Sequence, residues 1–233
     1  MRVATIRHAP FEGAGAIAAW AVDRGHGFAT TMAATGAFPA PADYDLLVVM
    51  GGPMSANDEA RFAWLAAEKT AVRAGIDAGK RVLGVCLGAQ IVASVLGAAV
   101  TRNPEPEIGW FPVTLTSAGR TSRVFGSLPN SLVAGHWHSD IFALPEGAVR
   151  IAGSEACANQ AFEYDEGRVV GVQFHLEWTA QGAQALVEHC SADLVPGMHV
   201  VTAEGFIAGE AEHGVSARTA LYALLDAMTG VRE

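Results

Sequence analysis

Cysteine is scarce in this chain, with three residues in 233, an odd number at wide spacing (Cys86, Cys157 and Cys190). Small secreted scaffolds depend on dense, paired cysteines, so the count argues against a disulfide framework and fits a reducing, cytoplasmic location. We interpret Cys157 and Cys190 as inert structural thiols, which leaves Cys86 as the cysteine to explain.

Basic residues and long apolar runs are also few. Lys and Arg number 15 against 24 Asp and Glu, a net charge of −9, and they form no cluster, so we predict no nucleic-acid partner. No apolar run has the length of a signal peptide or a membrane span, and we predict no membrane association. Gly13–Ala18 loosely fits a dinucleotide fingerprint, but the acidic residue expected about twenty positions later is missing, so no nucleotide cofactor is expected.

Apolar runs alternate with helical patterns along the chain. Strands are predicted at Arg2–Arg7, Asp45–Met50, Arg81–Val85, Phe111–Thr116, Val149–Ala152, Ala161–Tyr164 and Val169–Phe174, and helices at Gly15–Arg24, Asp58–Ala78, Cys86–Leu96, Ala180–Ala192 and Ser216–Met228. Asp58 is the predicted N-cap of its helix, Asn103–Pro106 is interpreted as a connecting loop, and Leu194–Ala208 stays ambiguous. The pattern predicts one α/β domain with a mostly parallel central sheet, helices on both faces and added antiparallel strands.

Cys86 lies inside the pentad Gly84-Val-Cys-Leu-Gly88, between an apolar strand and a helix of small residues. Flanking glycines permit the sharp turn of a nucleophile elbow, which lifts the sulfur clear of the sheet. The turn also places the sulfur near a helix N-terminus, where the macrodipole favours a thiolate. The alternative is a buried cysteine that packs as a small hydrophobe.

Two further segments carry groups that a cysteine nucleophile needs. His175 and Glu177 end an apolar strand and, because strand side chains alternate, point to the same side, as a base and its orienting carboxylate would. The run Tyr44–Met50 breaks at Gly51-Gly52-Pro53. The backbone N–H groups of Gly52 and of Leu87 are therefore predicted to form an oxyanion hole. Taken singly, each segment also fits a plain strand end or turn.

Together and in this order, Gly-Gly-Pro, Gly-Val-Cys-Leu-Gly-Ala-Gln and Gln-Phe-His-Leu-Glu resemble the class I glutamine amidotransferases of the Cys-His-Glu type, most closely the standalone GMP-synthetase-like glutaminase domains. The resemblance runs from Arg2 to Trp178, about three quarters of the chain. It implies a flavodoxin-like fold with a core of about residues 1–190 and a C-terminal helical extension at 191–233. It also implies the catalytic set Cys86, His175 and Glu177.

The resemblance implies substrate contacts as well. Gln90 falls where the family contacts bound glutamine, and the segment Trp137, His138, Ser139 and Asp140 falls where it grips the α-amino and α-carboxylate groups. Met54 departs from the family, since many members have glycine directly after Gly-Gly-Pro, and a side chain there would reshape the pocket. His136 and His138 flank Trp137 in a predicted loop, but no ligand at regular spacing accompanies them, and we predict no metal.

The resemblance implies an enzyme that hydrolyses the side-chain amide of L-glutamine, with no metal or redox cofactor, and passes ammonia to an acceptor. The sequence contains neither a P-loop nor the Ser-Gly-Gly ATP motif of a synthetase, so a separate synthetase chain would receive the ammonia. Two alternatives stay open. One is a γ-glutamyl hydrolase or peptidase with the same triad, acting alone. The other is a non-catalytic binding module that retains the fold.

Overall fold

The computed structural model describes residues 1–230, and the last three residues of the predicted extension at 191–233 lie outside this range. Strands are β1 (Arg2–Arg7), β2 (Gly27–Met32), β3 (Leu46–Val49), β4 (Arg81–Val85), β5 (Val100–Leu115), β6 (Ser131–Phe142), β7 (Val149–Gly153), β8 (Ala161–Tyr164) and β9 (Val169–Val172). Helices are α1 (Ala16–Asp23), α2 (Trp64–Asp77), α3 (Leu87–Val95), α4 (Ser117–Thr121), α5 (Ala180–Cys190) and α6 (Ala203–Thr229).

The described strands form a single sheet in the order β2-β1-β3-β4-β9-β8-β7-β5-β6. The first five are parallel, and the remaining four run antiparallel to their neighbours. The predicted fold class is therefore confirmed. Because the parallel strands end at one edge, the loops after β3, β4 and β9 meet there, which is where open α/β sheets bind ligands.

Alternation along β3 distributes apolar side chains between two cores. Leu46 and Val48 pack on the face covered by α1 and α6, whereas Leu47 and Val49 pack on the face covered by α2 and α3. A strand buried on both faces is expected to consist entirely of apolar residues, as this one does. None of the helices in the described part combines the length and the unbroken apolar character that crossing a membrane requires.

The antiparallel half differs most from the prediction. β5 begins at Val100 rather than Phe111, and the predicted loop Asn103–Pro106 lies within it. The register with β6 shifts between Arg102 and Glu107, and a shift of this kind lets a strand accommodate prolines, which cannot donate to the ladder. β6 was not predicted, so the segment around Trp137 is a strand and not a loop.

Other boundaries also differ. β2, which forms an edge of the sheet, was not predicted. Helix α2 begins at Trp64 after Ala63, so the prediction of Asp58 as its N-cap is wrong; the Asp58 carboxylate instead accepts from the N–H of Ser55 at 3.0 Å. Helix α6 begins at Ala203, thirteen residues before the predicted start at Ser216. The division into a core and an extension stays a prediction.

Asp226 fastens the C-terminal helix to α1. Its carboxylate accepts from the Trp20 indole N–H at 2.8 Å and from the Arg24 guanidinium at 2.6 and 3.0 Å. Burial acts to raise the pKa of Asp226, but the hydrogen bonds from Arg24 and Trp20 lower it more, so the net direction is down. The carboxylate therefore stabilises the fold above its ordinary pKa, and this contribution is lost as pH falls through the lowered folded-state pKa.

We expect Asp226→Asn to lower the free energy of unfolding at pH 7 by about 1–3 kcal/mol, because hydrogen bonds to a charged partner are lost. Urea unfolding at pH 7 and at pH 3 measures the effect, which should shrink at the lower pH. Asp77→Asn is the control, since Asp77 pairs with Arg73 on an exposed helix face and should matter by less than about 1 kcal/mol. Equal effects of the two substitutions would contradict the prediction.

Candidate active site

Cys86 lies at a strained turn between β4 and α3. Its backbone has φ 53° and ψ −110°, a left-handed φ that costs a non-glycine residue energy and is found at functional turns. A Cβ on Gly88 would lie 1.9 Å from the carbonyl oxygen of Val49, and one on Gly84 would lie 2.5 Å from the carbonyl oxygen of Gly88. The two glycines of the pentad are therefore required by close packing. The elbow prediction had assumed that they supply the strained backbone, whereas the strained φ falls on Cys86 itself and on neither glycine.

The sulfur of Cys86 faces polar neighbours. The side-chain N–H of Gln173 points at it from 3.6 Å, and the carbonyl oxygen of Trp137 lies 3.9 Å away. Gln173 was not predicted as a site residue, although it is the first residue of the Gln-Phe-His-Leu-Glu motif.

His175 and Glu177 lie together beyond the end of β9. The imidazole Nδ1 lies 2.7 Å from Glu177 Oε1, and both side chains are buried. The second carboxylate oxygen accepts from the N–H of Leu176 at 3.1 Å, and the imidazole stacks on Trp178 at a centroid distance of 3.9 Å. The strand was predicted to reach Phe174 but ends at Val172, and His175 instead forms an isolated bridge with Gly135 of β6.

Electrostatics favour a positively charged His175. Burial alone would lower its pKa, but the Glu177 carboxylate and the hydrogen bond with Cys86 raise the pKa of His175 to about 10. The imidazole is thus within interaction range of the thiol on one side and held by the carboxylate on the other. Such an arrangement can transfer a proton to or from a group bound at the sulfur.

Two backbone N–H groups are available beside Cys86. Leu87 is the first residue of α3 and has no carbonyl one turn earlier to bond with, and Gly52 lies in the loop after β3. Within residues 1–230 neither N–H donates to another protein group. A Cβ on Gly52 would lie 3.0 Å from Cδ2 of Leu87, so the two residues are in close contact.

A cavity of about 300 Å³ opens over the sulfur. Glu177 lies behind the imidazole and does not line the cavity. All the other predicted site residues do, namely Gly52, Met54, Cys86, Leu87, Gln90, Trp137, His138, Ser139, Asp140 and His175. The Gln90 amide donates to the Asp140 carbonyl at 3.0 Å, and the Asp140 carboxylate accepts from Ser55 at 2.7 Å. The structure therefore brings the predicted residues to one cavity, whose size is at the lower end for small-molecule sites.

Glu12 also lines this cavity and was not predicted as a site residue. Its Oε2 and the Cε1 of His175 both lie 3.1 Å from the place where a Cβ on Gly51 would stand. Burial raises the pKa of Glu12, and the neighbouring His175 opposes this. One signal could have found it, since Glu12 lies in the loop that follows β1, at the edge of the sheet where the parallel strands end.

One carboxylate and two imidazoles on β5 and β6 lie close enough to hold a metal ion, with ligand atoms of Glu107, His136 and His138 within 4.8 Å of one another. No ligand lies at regular sequence spacing from the histidines, yet the fold supplies a carboxylate, because Glu107 pairs with His138 across the strands. The same Glu107 oxygen accepts from Gln160 at 2.6 Å and lies 3.2 Å from His138 Nε2. The carboxylate thus has protein partners, and the absence of a metal stays a prediction.

The chain belongs to the class-I glutamine amidotransferase family, whose model matches residues 28–192. It is 38% identical over 199 residues to the glutamine amidotransferase-like protein YfeJ of Salmonella typhimurium, with 83% of each chain covered. It is 34% identical over 136 residues to one subunit of the glutamine-hydrolysing GMP synthase of Sulfurisphaera tokodaii, covering 58% of this chain and 68% of that one.

Solved structures support the same assignment. A glutamine amidotransferase from Thermotoga maritima superposes with a TM-score of 0.88 at 30% identity, covering 98% of this chain and 97% of that one. SMU.1228c superposes with a TM-score of 0.91 at 32% identity, covering 98% and 100%. The family resemblance inferred from the three motifs is confirmed.

Proposed function

We propose that this chain hydrolyses the side-chain amide of L-glutamine through a thioester on Cys86, releasing glutamate and ammonia. The observation that carries the proposal is the convergence on one cavity of a cysteine at a strained elbow, a histidine held by a buried carboxylate and two unbonded N–H groups. The family is consistent with glutamine amide hydrolysis. The roles of individual residues are our proposal.

In this scheme the Cys86 thiolate attacks the amide carbon, and the N–H groups of Gly52 and Leu87 stabilise the oxyanion. His175, oriented by Glu177, gives its proton to the amide nitrogen, the C–N bond breaks and ammonia leaves. The now neutral imidazole takes a proton from water, whose oxygen attacks the thioester carbon. Collapse of the second oxyanion releases glutamate and restores the thiolate and the charged imidazole.

The binding side of the cavity is proposed to hold the amino-acid end of the substrate. Backbone and side-chain groups of the segment 137–140 would bind the α-amino and α-carboxylate groups, while Gln90 and Met54 shape the wall. No metal or redox group takes part. By analogy with the GMP synthase relative, a separate synthetase chain is the proposed ammonia acceptor, and three free cysteines fit a cytoplasmic location.

A second candidate is hydrolysis of γ-glutamyl compounds with a larger leaving group. A cavity of about 350 Å³ adjoins the first and shares Glu12, Trp178 and Leu186 with it. It is lined by Glu177 and Trp178 but not by Cys86 or His175, so a larger leaving portion would reach it past the residues that the two cavities share. A γ-glutamyl amine or peptide would place its leaving portion there, whereas glutamine leaves the second cavity empty.

We expect kcat/KM for L-glutamine to exceed that for γ-glutamyl dipeptides by at least about ten-fold, because ammonia needs none of the second cavity. The measurement is glutamate release by the purified chain from glutamine and from a panel of such dipeptides, with asparagine as the control for side-chain length. A preference for the dipeptides would favour the second candidate. Turnover of neither, in a folded chain, would favour a non-catalytic module.

A further inference from the structure

A buried ion pair lies directly behind the loop that carries Gly52. His8 follows β1 and Glu68 lies in α2, sixty residues apart in the chain. The imidazole Nε2 lies 2.9 Å from Glu68 Oε1, and both side chains have 0% exposure. Neither residue lines the cavity over Cys86. A pair desolvated this completely is costly to maintain, so its position calls for an explanation.

The other nitrogen of the imidazole bonds to the loop itself. His8 Nδ1 lies 2.9 Å from the carbonyl oxygen of Gly51, and because a carbonyl only accepts, Nδ1 must carry the hydrogen. Glu68 holds the opposite side of the ring, and Trp64 stacks on its face at 5.7 Å. The ring therefore has one orientation, and it presents a fixed donor to Gly51.

The Gly51 carbonyl and the Gly52 N–H belong to one peptide unit. In a trans peptide these two groups point in opposite directions. Holding the carbonyl towards His8 thus directs the N–H away from His8, and Gly52 lines the cavity together with Cys86 and Leu87. If the unit were rotated by half a turn, the carbonyl would face the cavity and the donor would be lost.

Side chains do not prevent that rotation, because glycine on both sides leaves the peptide free to adopt either orientation. What selects one orientation is the hydrogen bond from His8. Such bonds are about twice as strong when the donor is charged. Burial acts to lower the pKa of His8, but the hydrogen bond and the negative charge of Glu68 raise it more, so the charged imidazole is favoured. The His8–Glu68 pair therefore selects one orientation of the Gly51–Gly52 peptide, which the two glycines by themselves do not.

We propose that His8 and Glu68 are positioning residues that lock the Gly51–Gly52 peptide in the orientation that completes the oxyanion hole. The hole is then preformed in the isolated chain, and hydrolysis requires no partner to turn the peptide. This inference rests on the proposed function, because His8 and Glu68 lie outside the cavity and their role is defined by their effect on the reaction inside it.

The test compares His8→Asn with His8→Leu, two side chains of nearly equal shape. An asparagine amide nitrogen occupies the place of the imidazole Nδ1 and can still donate to Gly51, whereas leucine cannot. We expect His8→Leu to lower kcat for glutamine by about 10²–10³-fold, the loss typical of one oxyanion donor. KM should change little, because the ground-state amide makes little use of the hole. His8→Asn should retain kcat within about ten-fold of the wild type.

A second readout separates positioning from general damage. Alkylation of Cys86 by iodoacetamide displaces iodide without forming an oxyanion, so its rate should be the same in His8→Leu and in the wild type. If His8→Leu does not fold, His8→Asn is compared with His8→Gln instead. The longer glutamine side chain places its amide where Nε2 of the imidazole lies and not where Nδ1 lies. His8→Gln should then have the lower kcat.

The outcomes are distinguishable. Equal kcat in His8→Leu and wild type, or equal losses in His8→Asn and His8→Leu, would overturn the positioning role while leaving the proposed hydrolysis intact. If the wild-type chain hydrolysed glutamine only after a synthetase chain was added, the inference that the oxyanion hole is preformed would be wrong, and the other inferences would stand. Absence of any Cys86-dependent hydrolysis of glutamine or γ-glutamyl peptides, with the chain folded, would remove the proposed function and this inference together.

Discussion

Cys86→Ala is expected to abolish glutamine hydrolysis, with a loss in kcat of about 10⁴-fold or more, because Cys190, the second thiol that lines the cavity, has a pKa that burial raises to about 11 and so stays protonated near neutral pH. The variant should fold normally, since the contacts of the sulfur with Gln173 and Trp137 are long, at 3.6 and 3.9 Å, and His175 is still held by Glu177 when its interaction with Cys86 is lost. Ammonia release in steady state measures the loss, and circular dichroism with a thermal melt verifies the fold. Substrate affinity, measured by calorimetry with glutamine, should survive.

Cys157→Ala is the matched control for this result. Cys157 is also buried, and burial raises the pKa of its thiol to about 11, so it stays protonated and unreactive near neutral pH. Its sulfur contacts the Asn159 carbonyl, and Cys157 does not line the cavity over Cys86. We expect kcat to be unchanged. Hydrolysis that persists in Cys86→Ala and falls in Cys157→Ala would show that the nucleophile is assigned wrongly.

His175→Gln should lower kcat by about 10²–10⁴-fold, the range for loss of a positioned acid and base. Glutamine keeps a polar group near Glu177 but cannot carry a proton to the leaving nitrogen. With the pKa of His175 at about 10, the wild-type imidazole is charged throughout the neutral range. The substitution removes that charge beside the sulfur, so alkylation of Cys86 by iodoacetamide at pH 7 should also slow.

His189→Gln provides the comparison, because His189 is exposed on α5 and stacks on Phe11 without touching the cavity. It should leave both kcat and the alkylation rate at wild-type values. Alkylation assays across pH 6 to 11 add a second check, since the difference between wild type and His175→Gln should narrow as pH rises past about 10. A difference that is constant with pH would contradict a role for the imidazole charge.

The elbow could be predicted from the sequence because the motif itself is local. Gly84 is required by contact with the backbone of Gly88 within the turn, whereas Gly88 is required by Val49 of the neighbouring strand β3, a contact that the motif does not reveal. The pairing of His175 with Glu177 is also local, since the two lie only two positions apart. The parallel half of the sheet followed from apolar runs such as β3, where every side chain faces one of two cores.

Features that depend on distant contacts could not be predicted. In β6, His136 and His138 are buried against Glu107 of the neighbouring strand, but in sequence they resemble polar residues of a loop. Pro104 and Pro106 of β5 fall where the register against β6 shifts, between Arg102 and Glu107. The roles of His8 and Glu68 depend on a contact across sixty residues, and neither residue belongs to a pattern that indicates it.

The bridge between Gly135 and His175 joins the two halves of the sheet at the site itself. The N–H of each residue donates to the carbonyl of the other, at 3.0 and 2.7 Å. The segment proposed to hold the amino-acid end of the substrate follows one of these residues, and the proposed base is the other. Substrate binding and proton transfer therefore depend on one cooperative structural unit. A fluctuation that separates β6 from the parallel half of the sheet disables substrate binding and proton transfer together.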